Sequence, residues 1–122
     1  EIIVNLLDSK NQHIRKDIVI LIRDLKLSDL ESQLFRRYQI EEIIRIKISI
    51  FKTLAEIGSE KSVFFALKII EDVAIDPAIE FEAVRTIYKL NPVFFEQFII
   101  SKFSEKDTVK KIIAHINSPF LS

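Results

Sequence analysis

The fold is decided by the segment Ile46-Lys-Ile-Ser-Ile-Phe-Lys-Thr-Leu-Ala-Glu-Ile-Gly58. Its apolar residues recur at intervals of four, four and three, which places them on one stripe of an α-helix. They are Ile46, Ile50, Leu54 and Ile57. A single helix with one apolar face needs tertiary packing to be stable in water. The segment therefore predicts one helix of a packed helical protein.

The same apolar stripe recurs on both sides of this segment. An earlier copy begins at Ile14, 32 residues before Ile46, and a later copy begins at Ile79, 33 residues after it. A weaker fourth copy begins at Val109, a further 30 residues on. A second amphipathic stretch follows each of the first three copies, so the repeated unit is predicted to be a pair of helices. The apolar positions of these second stretches are Leu30, Leu34 and Tyr38, then Val63, Leu67 and Ile70, then Phe94, Phe98 and Phe103.

Residues at the predicted helix ends agree with this division. Asp76-Pro77 and Asn91-Pro92 each place a capping side chain before a proline that suits the first helical position. Ser28-Asp-Leu-Glu31 and Ser104-Glu-Lys-Asp107 are similar to capping boxes. Gly58 follows its helix directly and is expected to end it in the left-handed conformation.

Composition limits the classes of protein that this chain can belong to. With 122 residues, 48% hydrophobic content, one Gly and three Pro, it has enough apolar residues for a core but too few turn residues for a β-sandwich or barrel. The 18 basic and 18 acidic residues balance, which disfavours nucleic acid and anionic membranes as partners. The absence of Cys excludes disulfides, a thiolate nucleophile and Cys-ligated zinc.

Residues at both ends of the central predicted helix, and at the start of the next one, resemble those of a known repeat family. Ile46-Lys47 followed by Thr53-Leu-Ala-Glu-Ile-Gly58 resembles the first helix of a HEAT repeat, with its Val-Arg opening and Ala-Leu-Gly-x-Ile-Gly end. Ser59-Glu-Lys-Ser-Val63 then resembles the Asp-x-x-Ala-Val opening of the second helix. The resemblance covers most of the chain and is strongest in residues 46–70. The opening dipeptide is matched at Ile14-Arg15 and Val109-Lys110, whereas Ile79-Glu80 has an acid in place of the base.

A second departure from the HEAT pattern concerns the small residue in the middle of the first helix. That position holds Ile18 and Ile50 in this chain, and only Ala83 conforms. The resemblance nevertheless implies an all-α fold, a right-handed α-solenoid of about three antiparallel helix pairs with a partial helix at each end. We expect a single domain over 1–122 that is a fragment of a longer protein. Its repeats would cover roughly 11–39, 43–74 and 76–104, with a partial repeat at 106–122.

No residue pattern predicts catalysis, a metal or a cofactor. His13 and His115 stand about a hundred residues apart, and distant repeats of a solenoid do not share a site. Adjacent carboxylates on a helix point about 100° apart, so Glu41-Glu42 and Glu71-Asp72 do not form an acid–base dyad. Solvated helix ends are the expected setting for both carboxylate pairs. The chain is therefore predicted not to be an enzyme.

The candidate partner-binding residues lie on the predicted second helices. They are Arg36, Arg37, Phe64, Lys68 and Gln97. Two explanations are open for the arginine pair. It stands near a helix end, where the helix dipole by itself favours positive charge, and this can account for it. The alternative is that the pair binds phosphate or an acidic partner. Neighbouring phenylalanines on a helix cannot both face one core, so Phe64 and Phe95 are expected to be partly exposed or wedged between repeats.

HEAT-like modules mostly bind proteins, and the resemblance implies that the second helices line a concave binding face. A protein–protein interaction scaffold is the first hypothesis for this chain. Because some relatives of the fold are bilin lyases or alkylpurine DNA glycosylases, a nucleic-acid-binding or base-processing domain is the second. A passive spacer in a longer protein is the third. Self-association through exposed terminal helices is a further expectation, and no segment of this chain is long and apolar enough to span a membrane.

Overall fold

The computed structural model describes residues 1–117, and this part of the chain is all-α, with no strand. The predicted all-α class is thereby confirmed. The helices are α1 (Ile2–Leu7), α2 (Gln12–Asp24), α3 (Glu31–Ile40), α4 (Ile44–Ile57), α5 (Glu60–Ile70), α6 (Pro77–Leu90), α7 (Pro92–Phe94), α8 (Ile100–Lys102) and α9 (Asp107–Ile116). A 3₁₀ turn, Ser28–Leu30, precedes α3. Part of the predicted partial repeat 106–122 lies outside the described residues, and α9 occupies its beginning.

The helices that carry the repeated stripe pack directly on one another. Helix α4 packs between α2 and α6, and α6 also packs against α9. The intervening helices attach to this row, since α3 contacts α4 and α5 contacts α6, while α1 covers part of α2. Buried apolar side chains form one continuous cluster from Leu7 in α1 to Ile112 in α9. Burial of this area is the main stabilising contribution to the fold.

The central stripe is the most completely buried. All four of its residues in α4 are buried, because α4 has a neighbouring helix on each side. Ile14 and Leu25, at the two ends of the stripe in α2, are exposed. The six-residue helix α1 is too short to cover the whole of α2. The bulky Ile18 and Ile50 are buried, as Ala83 is, so the core accommodates them.

A hydrogen bond is repeated between consecutive stripe helices. The hydroxyl of Thr53 in α4 donates to the carbonyl of Val19 in α2 at 3.2 Å. The hydroxyl of Thr86 in α6 shares its proton between the carbonyl of Phe51 in α4, at 3.1 Å, and the carbonyl of Glu82 one turn earlier in α6, at 2.7 Å. Both threonines are fully buried, so an unpaired hydroxyl in either place would be costly. The two junctions α2–α4 and α4–α6 therefore share a contact as well as an apolar pattern.

The predicted caps are right at the prolines and wrong at the serines. The side chain of Asp76 accepts from two backbone N–H groups at the start of α6, and that of Asn91 accepts from the N–H of Phe94. Ser28 lies inside the 3₁₀ turn and caps no helix. The cap of α9 is Lys106, which makes no side-chain cap bond, rather than Ser104.

Gly58 is not left-handed, contrary to the prediction from its place after α4. Its φ of −73° and ψ of 165° are extended values that any residue can adopt. The glycine is required by space instead, because a Cβ atom there would lie 2.5 Å from the carbonyl oxygen of Leu54 and 2.5 Å from the hydroxyl of Ser62. The left-handed residue is Lys26, whose φ is 53°. It follows α2, and the backbone N–H of Leu27 bonds there to the carbonyl of Ile22, the pattern of a Schellman motif.

Helices α7 and α8 are joined by a π-helical turn, Phe95–Ile99. A π turn holds one more residue than an α turn, so the apolar stripe shifts by one position as it passes through. This explains the uneven spacing Phe94, Phe98, Phe103 in the sequence. The rings of Phe94 and Phe98 stack with centroids 5.0 Å apart. Phe95 faces inward with none of its surface exposed, and its ring lies 5.3 Å from that of Tyr88 in α6. Of the two expectations for Phe95, partial exposure is therefore wrong.

Candidate functional site: two surfaces of the helical row

An exposed phenylalanine distinguishes helix α5. Among residues 1–117, Phe64 is the one phenylalanine that is mostly exposed, at 56%. Its neighbour Phe65 turns to the interior, where its ring stacks on that of Phe35 with centroids 4.5 Å apart. Lys61 and Lys68 stand three residues before and four residues after Phe64, so they share its helix face and are exposed. This arrangement is a solvent-facing aromatic ring bordered by two cations.

Arg36 and Arg37 both have carboxylate partners within the chain. Arg36 donates from Nη1 and Nη2 to the two oxygens of Asp8, at 3.1 and 3.0 Å. Arg37 donates from Nη1 to Asp8 at 3.1 Å and from Nε to Glu41 at 3.1 Å. These bonds hold the loop after α1 against α3. The structure thus gives both arginines a structural role, and their role in partner binding stays a prediction.

Glu41 is the centre of this charged cluster and is wholly buried, with no side-chain surface exposed. Arg15 donates to both of its oxygens, at 2.9 and 3.0 Å, and the backbone N–H groups of Glu42 and Ile43 donate to Oε2 at 3.1 Å. The predicted solvated helix end is therefore wrong for Glu41. The loop before α4 turns its side chain inward, where Arg15 and Arg37 meet it.

The environment of Glu41 determines its charge state. Burial raises the pKa of a carboxyl, but the hydrogen bonds from Arg15 and the Ile43 backbone, with the charge of Arg37, outweigh burial. The pKa of Glu41 consequently lies below its ordinary value of 4.5. The same bond raises the pKa of Arg15. Glu41 is thus held as a charged structural anchor and is unsuited to accept a proton from a substrate.

A groove between α2 and α4 collects cations that the sequence analysis did not single out. It has a volume of about 370 Å³ and is lined by Lys16 and Arg23 of α2 and by Arg45 and Lys52 of α4. Ile20 and Ile48 form an apolar strip between these cations. No carboxylate of residues 1–117 lines the groove, and none forms an ion pair with these four side chains.

The adjoining groove between α4 and α6 has a mixed charge. Arg23 and Lys52 reach its border, but Glu56, Glu82 and Arg85 also line it. Glu56 pairs with Lys89 at 3.3 Å, and Glu82 lies 3.6 Å from Arg85. One oxygen of Glu82 is buried and has no hydrogen-bond partner among the described residues. Uncompensated positive charge is therefore concentrated in the α2–α4 groove.

The signal for this groove was present in the sequence. Lys16 and Arg23 are separated by seven residues, as are Arg45 and Lys52. Seven residues are two helical turns, so each pair lies on one face of its helix. What the sequence does not show is that the two faces meet, because that depends on how α2 packs against α4.

The remaining predicted residues lie apart from these surfaces. Gln97 is exposed and lies in the π turn, while His13 and His115 are exposed on α2 and α9. No group of three or more His, Cys, Asp or Glu side chains in residues 1–117 is arranged to hold a metal ion. Helices long and apolar enough to cross a membrane are also absent from this range.

Comparison with known proteins identifies no match to this chain. No protein-family model, curated protein or solved structure matches the chain.

Proposed function

We propose that this chain is a non-catalytic module of HEAT-like solenoid architecture that binds another protein. The repeated threonine-to-carbonyl bonds at the α2–α4 and α4–α6 junctions support the solenoid, because a stack of similar units repeats its contacts. A second repeated contact joins the helices between them. The carboxylate of Glu31, at the start of α3, accepts from Ser59 at the start of α5, and that of Glu60 accepts in turn from Asn91 at the start of α7.

The exposed Phe64 is the observation that carries the binding role. Desolvating a phenylalanine ring is favourable, and aromatic side chains are enriched where proteins contact one another. The chain buries or half-buries its other phenylalanines within residues 1–117, so exposure of Phe64 is not a general result of high phenylalanine content. Lys68, one turn further along α5, would provide a polar contact at the edge of the ring. Gln97 belongs to the same proposal as a polar contact on the following helical segment.

The test combines capture with a direct affinity measurement. The tagged chain, as wild type and as the Phe64→Ala/Lys68→Ala variant, is used to capture proteins from an extract of its own cells. A captured protein is then purified, and its Kd for each form is measured by biolayer interferometry. The proposal expects binding at least about ten-fold weaker for the variant, since truncating an aromatic interface anchor costs about 2 kcal/mol or more and each 1.4 kcal/mol is about ten-fold in Kd. Its far-UV circular dichroism and Tm should match the wild type.

Val73→Ala is the matched control, because Val73 is 97% exposed in the loop after α5 and lies outside both surfaces. It should bind as the wild type does. Equal affinity for all three forms would refute Phe64 as the anchor. Unfolding of the Phe64→Ala/Lys68→Ala variant would show instead that these side chains support the fold.

A further inference from the structure

We infer that the α2–α4 groove binds an extended acidic segment of a protein partner. Such binding presupposes the protein-binding role proposed above, and it adds a second contact surface and the chemistry of the segment that fits it. The groove lies on the stripe helices, whereas Phe64 lies on α5, one of the intervening helices.

The charge state of the groove is the first reason. Of the six arginines, all within residues 1–117, four form ion pairs with carboxylates of that range. Arg23 and Arg45 do not, and both line this one groove together with Lys16 and Lys52. An arginine guanidinium can donate two parallel hydrogen bonds to a carboxylate, as Arg15 does to Glu41. Arg23 and Arg45 have this capacity available for a ligand.

The spacing of the cations indicates the form of the ligand. Lys16 and Arg23, like Arg45 and Lys52, are seven residues apart, which corresponds to about 10 Å along a helix. An extended peptide in the polyproline II conformation has three residues per turn and advances about 3.1 Å per residue, so carboxylates three residues apart lie on one face and about 9 Å apart. A segment with an acidic residue at every third position would therefore place one carboxylate at each end of the groove. The apolar strip of Ile20 and Ile48 would contact an aliphatic side chain between them.

The surroundings of the groove favour an acidic peptide over nucleic acid. Glu56 of α4 and Glu82 of α6 line the adjoining groove, which shares Arg23 and Lys52 with this one, so a phosphodiester chain that continued there would meet negative charge. No aromatic ring among residues 1–117 lines the groove, and single-stranded nucleic acid is usually held by base stacking on such rings. The balanced total charge of the chain also provides no general attraction for phosphates.

A defined peptide tests the inference. The probe is a fluorescein-labelled nonapeptide with glutamate at every third position and valine or serine elsewhere, and its Kd is measured by fluorescence anisotropy at low salt. The comparison probes are the same peptide with glutamine in place of glutamate and a labelled ten-nucleotide oligothymidylate. We expect the wild-type chain to bind the glutamate peptide at least ten-fold more tightly than either comparison probe.

Two double variants locate the binding. Arg23→Gln/Arg45→Gln removes the bidentate donors but keeps most of each aliphatic stem, and it should weaken peptide binding at least ten-fold. Lys10→Gln/Lys110→Gln removes the same charge from two exposed lysines outside the α2–α4 groove, and it should change binding less than two-fold. Thermal unfolding of both variants should match the wild type, because these four side chains make no ion pair within residues 1–117.

Three results would overturn the inference. They are failure of the glutamate peptide to bind, equal weakening by the two double variants, and tighter binding of oligothymidylate than of the peptide. The last would indicate a nucleic-acid surface. These failures are distinguishable from failure of the proposed function, because Phe64→Ala/Lys68→Ala leaves the α2–α4 groove intact and is tested with a captured protein.

Discussion

The two ends of the helical row contain the same ion pair with its charges exchanged. Arg15 near the start of α2 bonds to Glu41 at 2.9 Å, and Glu80 near the start of α6 bonds to Lys106 at 2.7 Å. Both pairs join residues 26 positions apart, and Ile14-Arg15 and Ile79-Glu80 are equivalent places in the repeat. Glu80, where the equivalent positions hold Arg15 and Lys47, therefore keeps the contact, because its partner is reversed as well. The repeat preserves an interaction and not a residue type.

The two pairs differ in how far they are removed from water. Glu41 has no exposed side-chain surface, and Arg15 and Arg37 are nearly buried around it. Lys106 retains about a quarter of its side-chain exposure, at 24%, although Glu80 also accepts a bond from the Thr108 hydroxyl. The middle of the row has no equivalent pair, since the residue 26 positions after Lys47 is the exposed Val73. We therefore expect the effect on stability to be largest at Arg15–Glu41, smaller at Glu80–Lys106 and smallest at Lys47 and Val73.

The largest effect is expected from Glu41→Ala. It leaves Arg15 and Arg37 without their buried partner and two backbone N–H groups unsatisfied, so the free energy of unfolding should fall by about 3 kcal/mol or more. Urea unfolding followed by circular dichroism measures the change. The matched comparison is Arg23→Ala, an arginine on the same helix as Arg15 but without a carboxylate partner in residues 1–117. A loss for Arg23→Ala as large as that for Glu41→Ala would contradict the contrast between the two sets of arginines.

The pH dependence of stability tests whether the negative charge of Glu41 stabilises the fold. Because the folded-state pKa of Glu41 lies below 4.5, its contribution is fully present above about pH 4.5 and is lost as the pH falls through the lowered value. The stability difference between wild type and Glu41→Gln should therefore shrink steadily between about pH 4.5 and pH 2. Urea midpoints of both forms across this range provide the measurement. A difference that stays constant, or grows in acid, would show that the charge of Glu41 does not stabilise the fold.

An intermediate effect is expected from Glu80→Ala. The ion pair with Lys106 and the hydroxyl bond of Thr108 are lost, but the lysine can turn to water, so unfolding should become easier by about 1 kcal/mol. Exchanging the charges in Glu80→Lys/Lys106→Glu should recover part of that loss, because the opposite end of the row has this arrangement. No recovery at all would mean that the local surroundings of Glu80, rather than the ion pair alone, fix its charge.

The smallest effect is expected from Val73→Glu, which places a carboxylate 26 positions after Lys47. Ion pairs between exposed side chains contribute little because water screens them. The urea midpoint should shift by no more than about a tenth of the shift that Glu41→Ala causes. A stabilisation comparable in size to the Glu80→Ala loss would show that spacing, rather than burial, governs these pairs.

The sequence predicted the helices well because their signals are local. The stripes from Ile46 to Ile57 and from Ile79 to Ile87, the caps at Asp76 and Asn91, and the exposure of Phe64 all depend on residues within a few turns of each other. Predictions that depended on distant neighbours were less successful. Glu41 is buried because Arg15, 26 residues earlier, meets it. The prediction for Gly58 was wrong although its constraint is local, because only the path of the chain between α4 and α5 places the hydroxyl of Ser62 in the space of a Cβ.

By itself, the sequence determined the all-α class and the 32–33-residue period, because hydrogen bonding within a helix and the 3.6-residue turn act over short stretches of chain. Only the tertiary structure decided which cations are paired and which are free. Arg36 and Arg37 looked like a binding pair in the sequence, yet Asp8 and Glu41 hold them. The cations of α2 and α4 looked scattered, yet helix packing gathers them in one groove, since charges on different helices become neighbours only when the helices meet.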